Sequence, residues 1–148
     1  MIFTLNNDAT REVVTACIVI GIFEDAPLSG AAADLDQASG GRIQAMLETG
    51  DIDAYKGETT LMHGLPGINA ERILAVGLGD PEKFDRVRFD MACMKAGAYL
   101  REHAVTSAHV CLHFVECEDL DESWRLRHAG VVFDRANYVY TTTKPRKN

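Results

Sequence analysis

Six groups of residues carry side chains or spacings with chemical potential. Gly77-Leu78-Gly79-Asp80 follows an apolar run and precedes a helical pattern. That is the setting of a phosphate loop, where free N–H groups and the helix dipole seat an anion. A dinucleotide fingerprint needs a third glycine at position 82, which is Glu82. Asp80, Glu82 and Asp85 would compete with a phosphate for the same N–H groups. A structural turn is the expected role. His109, Cys111 and His113 alternate along one strand face, with Cys117 close behind. Imidazole and thiolate are zinc ligands. However, positions i, i+2 and i+4 spread over roughly 13 Å on a flat strand, too far for one ion to take all three. A packed sheet face is the plainer reading.

His63 ends a short strand-like run, but no GxSxG or HExxH motif accompanies it. Glu58 with Thr59, and Asp34 with Asp36, lie in polar contexts with no spacing that pairs them for acid–base work. Trp124 with Arg125 and Arg127 could form a small binding patch, against the alternative of a partly buried anchor with solvated neighbours. No catalytic, cofactor-binding or metal-binding residue is assigned in this chain.

The elements that must position these residues follow from periodicity. Ala16–Phe23, Thr59–His63, Arg72–Gly77 and Ser107–Phe114 read as strands, with Met1–Leu5 a short edge strand. Ala16–Phe23 is apolar on both faces, as a central parallel strand covered by helices must be. Pro27 to Gly50 reads as one long, kinked helix, with Ser29 or Asp34 as cap and Gly50 closing it. Asp80 or Asp85 opens a second helix, with Val87, Met91, Met94, Ala98 and Tyr99 on its apolar face. Asp119–Glu122 opens a third, carrying Ala129, Val132, Phe133, Ala136, Val139 and Tyr140. The order predicts a three-layer α/β/α sandwich with a mixed, mainly parallel sheet.

The 148 residues make about one domain, enough to hold a core unaided. Net charge is −7, and three of the 15 basic residues fall in the last five positions. The remainder carries 12 basic against 22 acidic residues, a net of −10 that repels phosphate backbones and disfavours DNA. No apolar run approaches the ~20 residues of a membrane span, and no secretory signal is visible. Cys17, Cys93, Cys111 and Cys117 form no CxxC pair, which fits reduced thiols in a cytoplasmic protein.

A series of short motifs is more specific. Leu28-Ser29, Leu35-Asp36, Gly41-x-Ile43 with Leu47, and Gly50-Asp51 form its first half. Lys56-Gly57-Glu58-Thr59, then Arg72 to Gly79, then Phe84-Asp85 form the second. Together they resemble the N-terminal domain of the leucyl (cytosol) aminopeptidases, of the bacterial aminopeptidase A type. The match is clearest over residues 28–100 and extends through Tyr138-Val139-Tyr140. The resemblance implies a macro-domain-like fold that is not itself catalytic, over residues 1–141, with 142–148 as a linker. It places two divalent metals, manganese or zinc, in a separate C-terminal domain with the signature Asn-Thr-Asp-Ala-Glu-Gly-Arg. None of that signature occurs here. It further implies a hexamer, with this domain aiding subunit contacts and, in some bacterial members, DNA binding. A macro-like module for ADP-ribose or another nucleotide, and a DNA-binding regulatory domain, are the alternatives.

Overall fold

A computed structural model describes the backbone of residues 2–4, 14–103, 105, 107–112 and 121–143, and the side chains of 14–103, 105, 107–112 and 121–133. Five strands form one sheet in the order β1-β5-β2-β4-β3. They are β1 (Ile2–Thr4), β2 (Cys17–Phe23), β3 (Thr59–His63), β4 (Arg72–Gly79) and β5 (Ser107–Val110). β1, β5, β2 and β4 run parallel, and β3 alone pairs antiparallel, on the outer side of β4. Parallel strands need crossover connections; α1 (Gly30–Ala38) and α2 (Arg42–Thr49) lie between β2 and β3, α3 (Arg86–Glu102) lies between β4 and β5, and α4 (Glu122–Thr143) follows β5.

Alternation along β2 and β4 sorts the core into two halves. Cys17, Val19, Leu74, Val76 and Leu78 face α3 and α4, and pack against Phe89, Cys93, Ala96, Leu100, Ala129 and Phe133. Ile18, Ile20, Ile22, Ile73 and Ala75 face the other way, onto Ala32, Leu35 and Ile43 of α1 and α2. Burial on both faces explains why these strands are apolar without a break. The three-layer α/β/α sandwich with a mixed, mainly parallel sheet is therefore the fold observed, and the expected edge strand at the N-terminus is β1.

Three elements differ from expectation. The segment read as one kinked helix is two helices. Gly40 and Gly41 take φ of +76° and +85°, left-handed values that end α1 and turn the chain into α2. Ser29 occupies the N-cap position of α1 without a side-chain hydrogen bond. Asp36, from α1, instead accepts the N–H of Gln44 in the first turn of α2 at 2.8 Å.

The buried face of α3 is also not the one expected. Phe89, Ala92, Cys93, Ala96, Gly97 and Leu100 are buried, at helical spacing, while Val87 is 71% and Met94 55% exposed. The sheet beneath is already lined with large aliphatic residues, so small residues and one ring let the helix approach closely. Finally, β5 ends at Val110, short of Phe114. Its alternation continues nonetheless: Cys111 donates its N–H to Val19 O at 2.9 Å and faces α1 and α2, and Leu112 faces α3 and α4.

Asp85 caps α3 through the N–H of Arg88 at 3.0 Å, and Asp121 accepts the N–H of Trp124 at 2.7 Å at the start of α4. Gly50 closes α2 at φ +86°. The backbone of α4 runs from Glu122 to Thr143.

Candidate functional site

Strand β4 ends in the loop with the strongest phosphate-binding precedent, and the structure fills that loop with its own chain. Gly77 N–H donates to Glu58 O at 2.8 Å, and Gly77 O accepts from Gly57 N–H at 3.0 Å. Gly79 N–H donates to Ala54 O at 2.9 Å, and Gly79 O accepts from Glu24 N–H at 2.9 Å. Every main-chain polar group of both glycines is thus satisfied internally, leaving none for a phosphate. The glycines answer a steric demand instead. A Cβ on Gly77 would lie 2.1 Å from Tyr55 O and 2.7 Å from Ala54 C. Gly79 has φ +76°, and a Cβ there would lie 3.2 Å from Arg88 Nη1 and 3.2 Å from Lys56 Cβ.

The helix starts beside this loop are occupied too. Asp80 accepts the N–H of Glu82 at 2.9 Å in a short 3-10 turn, Pro81–Lys83, and Asp85 caps α3. The acids that compete with a phosphate in the sequence do so in space. The role is structural, but the turn comes later than expected: Gly77, Leu78 and Gly79 belong to β4, with Gly77 and Gly79 opposite Ile22 and Phe23 of β2, and the chain turns from Asp80.

His109 and Cys111 lie on the expected shared face, sealed at 0% and 2% exposure beneath α1 and α2. His113 and Cys117 fall outside the described residues. Among the described residues, no group of three or more His, Cys, Asp and Glu could hold a metal ion. Burial pushes the Cys17 thiol up to about 11, and the neighbouring Arg72 guanidinium opposes that only partly. Burial and then the Asp90 charge push Cys93 up to about 12. Both thiols stay protonated and inert at neutral pH.

The remaining candidates are scattered. His63 is exposed at the end of β3, opposite Arg72. Glu58 serves through its carbonyl, and Asp36 as the cap of α2. Trp124 is half-buried, as an anchor would be: it stacks on His128 at 4.6 Å and lies 6.1 Å from the Phe89 ring. His128 Nε2 meets Asp90 Oδ1 at 2.6 Å, tying α4 to α3. Arg86, from α3, covers the indole at 5.6 Å. Arg127 is exposed, but Arg125 is buried, so its neighbours are not all solvated as the anchor reading had them.

Among the described residues, one space of about 590 Å³ at the carboxyl end of β2 is lined by Phe23, Glu24, Leu47 and Ile52, and two smaller ones lie at the same end of the sheet, where open α/β folds receive ligands. Of the smaller two, one, beside Gly21, Leu28 and Cys111, measures about 20 Å³, room for one water and no nucleotide. The other, over Gly79, measures about 270 Å³ and is edged by Lys56, Lys83 and Arg88. Sequence reasoning missed this trio, because its members come from a loop, a turn and a helix and share no spacing.

Comparison with known proteins accounts for the whole arrangement. The profile of the cytosol aminopeptidase family, N-terminal domain, matches residues 19–147. A probable cytosol aminopeptidase from Xanthomonas oryzae pv. oryzae is 43% identical over 145 residues, covering 98% of this chain and 30% of the relative. One from Stenotrophomonas maltophilia is 41% identical, with 98% and 29% covered. The chain thus spans about 30% of the length of the curated relatives it matches. Among solved structures, a tomato leucine aminopeptidase variant superposes with a TM-score of 0.70 at 15% identity, over all of this chain and 30% of that one. The macrodomain of Mycobacterium tuberculosis DarG superposes with a TM-score of 0.69 at 13% identity, over 90% and 91%. These two likenesses establish a macro-like fold; the family profile establishes descent. The chain belongs to the cytosol aminopeptidase family and represents its N-terminal domain.

Proposed function

We propose that this chain is the non-catalytic N-terminal domain of a metal-dependent leucyl aminopeptidase, an exopeptidase that removes N-terminal residues from peptides. The observation that carries the reading is the family match across residues 19–147, on a chain spanning 30% of its curated relatives. Residues 1–141 form the domain, and 142–148 lead toward a C-terminal metallopeptidase domain that holds two manganese or zinc ions. Among the described residues no group of three or more His, Cys, Asp and Glu could hold a metal ion, and the proposal assigns the metals and the catalytic step to the C-terminal domain. Its part is in assembly of a cytoplasmic hexamer or in regulation. The nucleotide-module alternative shares the fold but has only that likeness behind it, whereas the aminopeptidase reading has the family match. The DNA-binding alternative meets a net charge of −7. No helix among the described residues is long and apolar enough to cross a membrane.

The test is hydrolysis of leucine amide with manganese or zinc added. The 148-residue chain releases no leucine, and the product of the complete reading frame does. Turnover by this chain alone, or a reading frame with no metallopeptidase domain, would refute the proposal.

A further inference from the structure

The cleft over Gly79 is distinct from anything the aminopeptidase reading requires. It lies where β4 delivers the chain into the 3-10 turn, at the carboxyl end of the parallel sheet. Its floor is the bare Cα of Gly79, and the Arg88 guanidinium reaches within 3.2 Å of where a Cβ would stand. Lys56 enters from the loop before β3, with its stem over the same glycine and its ammonium 6.0 Å from the Tyr55 ring. Lys83 enters from the 3-10 turn.

Three cations therefore converge on one concave space of about 270 Å³, in a chain whose net charge is −7. Among the described residues, none of the three forms an ion pair. Asp80 and Glu24 also line the cleft, but the Asp80 carboxylate is committed to the Glu82 N–H. The cleft keeps a positive balance, three against two. The two carboxylates offset part of that charge, and the excess of one cation favours an added anion, because each cation raises the potential felt by the others. A planar guanidinium beside two point-like ammonium groups suits oxygens spread over a tetrahedral or bridged phosphate.

We propose that Lys56, Lys83 and Arg88, gathered around Gly79, form a binding site for a small phosphate-bearing anion of the pyrophosphate class. The contacts come from side chains, since the main-chain groups of Gly77 and Gly79 and the helix starts are already occupied. The site stands independently of the aminopeptidase reading.

Calorimetric titration of the 148-residue chain with inorganic pyrophosphate at fixed ionic strength tests it. Saturable, one-site binding is expected, and each of Lys56→Gln, Lys83→Gln and Arg88→Gln weakens it about tenfold, the loss of one charge-assisted contact. Arg42→Gln, an exposed change on α2, leaves it unaltered. Melting curves confirm that the variants remain folded, since Lys83 is exposed and the other two are half-buried. The proposal is overturned if millimolar pyrophosphate gives no saturable heat, or if the three variants bind as the parent does. It is overturned equally if Arg42→Gln weakens binding as much, which would mark general screening. Binding of duplex DNA, lost in the same variants while pyrophosphate gives no heat, would assign the patch to a nucleic-acid backbone instead.

Discussion

Replacing Gly77 by alanine tests whether the glycines at the end of β4 exist for close packing. The added Cβ would stand 2.1 Å from Tyr55 O, 2.7 Å from Ala54 C and 2.9 Å from Ala54 O. All three are backbone atoms, which cannot swing away as a side-chain tip can. Gly77 lies outside the left-handed region, so the substitution adds a clash without adding φ strain. Relief requires the 54–58 segment to move off β4. That puts at risk the bonds Gly57 N–H to Gly77 O, Gly77 N–H to Glu58 O and Gly79 N–H to Ala54 O. Overpacking costs about 1–3 kcal/mol, and each weakened hydrogen bond about 1 kcal/mol. With all three bonds weakened a total of about 4–6 kcal/mol is expected, which for a chain of this length lowers Tm by about 8–24 °C. Gly50→Ala is the control: its φ is +86°, yet its Cβ meets nothing within 4 Å. That change should cost only about 1 kcal/mol of conformational strain. Urea unfolding followed by circular dichroism gives both values on one scale. If Gly77→Ala costs no more than Gly50→Ala, the close-approach account of these glycines is wrong.

The buried thiols and the helix-to-helix pair give two further expectations. Cys17 and Cys93 are raised to about 11 and about 12 from 9.0, so the native state holds these protons more tightly than the unfolded chain. Their full contribution is present below pH 9 and is lost as pH rises through 11 and 12; urea midpoints measured from pH 8 upward should stay level and then fall. Alkylation at pH 8, mapped by mass spectrometry, should spare Cys17, Cys93 and Cys111 in the native protein, and rapid labelling of Cys17 would contradict its burial. His128→Ala removes the 2.6 Å contact to Asp90 and the stack on Trp124, at a cost of about 1–2 kcal/mol. A double-mutant cycle with Asp90→Ala that shows no coupling would mean the pair does not tie α3 to α4.

Legibility in this sequence follows the range of the physical signal. β2 and β4 were readable from a long apolar run, and β3 from a short β-prone stretch between glycine-bearing turns, all local properties. Asp85 was readable as the cap of α3 for the same reason. The face of α3 was not. Val87, Met91 and Met94 are more hydrophobic than Ala92, Ala96 and Gly97, so a ranking by hydrophobicity chooses the wrong stripe. What decides the matter is the room left by Leu74, Val76 and Leu78 on the sheet below, a property of partners distant in sequence. The break between α1 and α2 was half visible: Gly40-Gly41 signals weakness, but both residues adopting left-handed φ is set by how α2 docks Ile43 into the core.

The same division governs the site. A glycine pair after a strand is written plainly in the chain, but its meaning depends on what approaches it, and here the approach is made by residues 54–58 and by Glu24. That contact turns Gly77 into a packing residue. The cations over Gly79 invert the lesson, since Lys56, Lys83 and Arg88 look unremarkable one by one and acquire a joint chemistry only where three connections meet. A domain with no catalytic motif is therefore not shown to be chemically silent. In an acidic chain, the informative feature is where positive charge collects against the average, because holding it there costs free energy that a bound anion would offset.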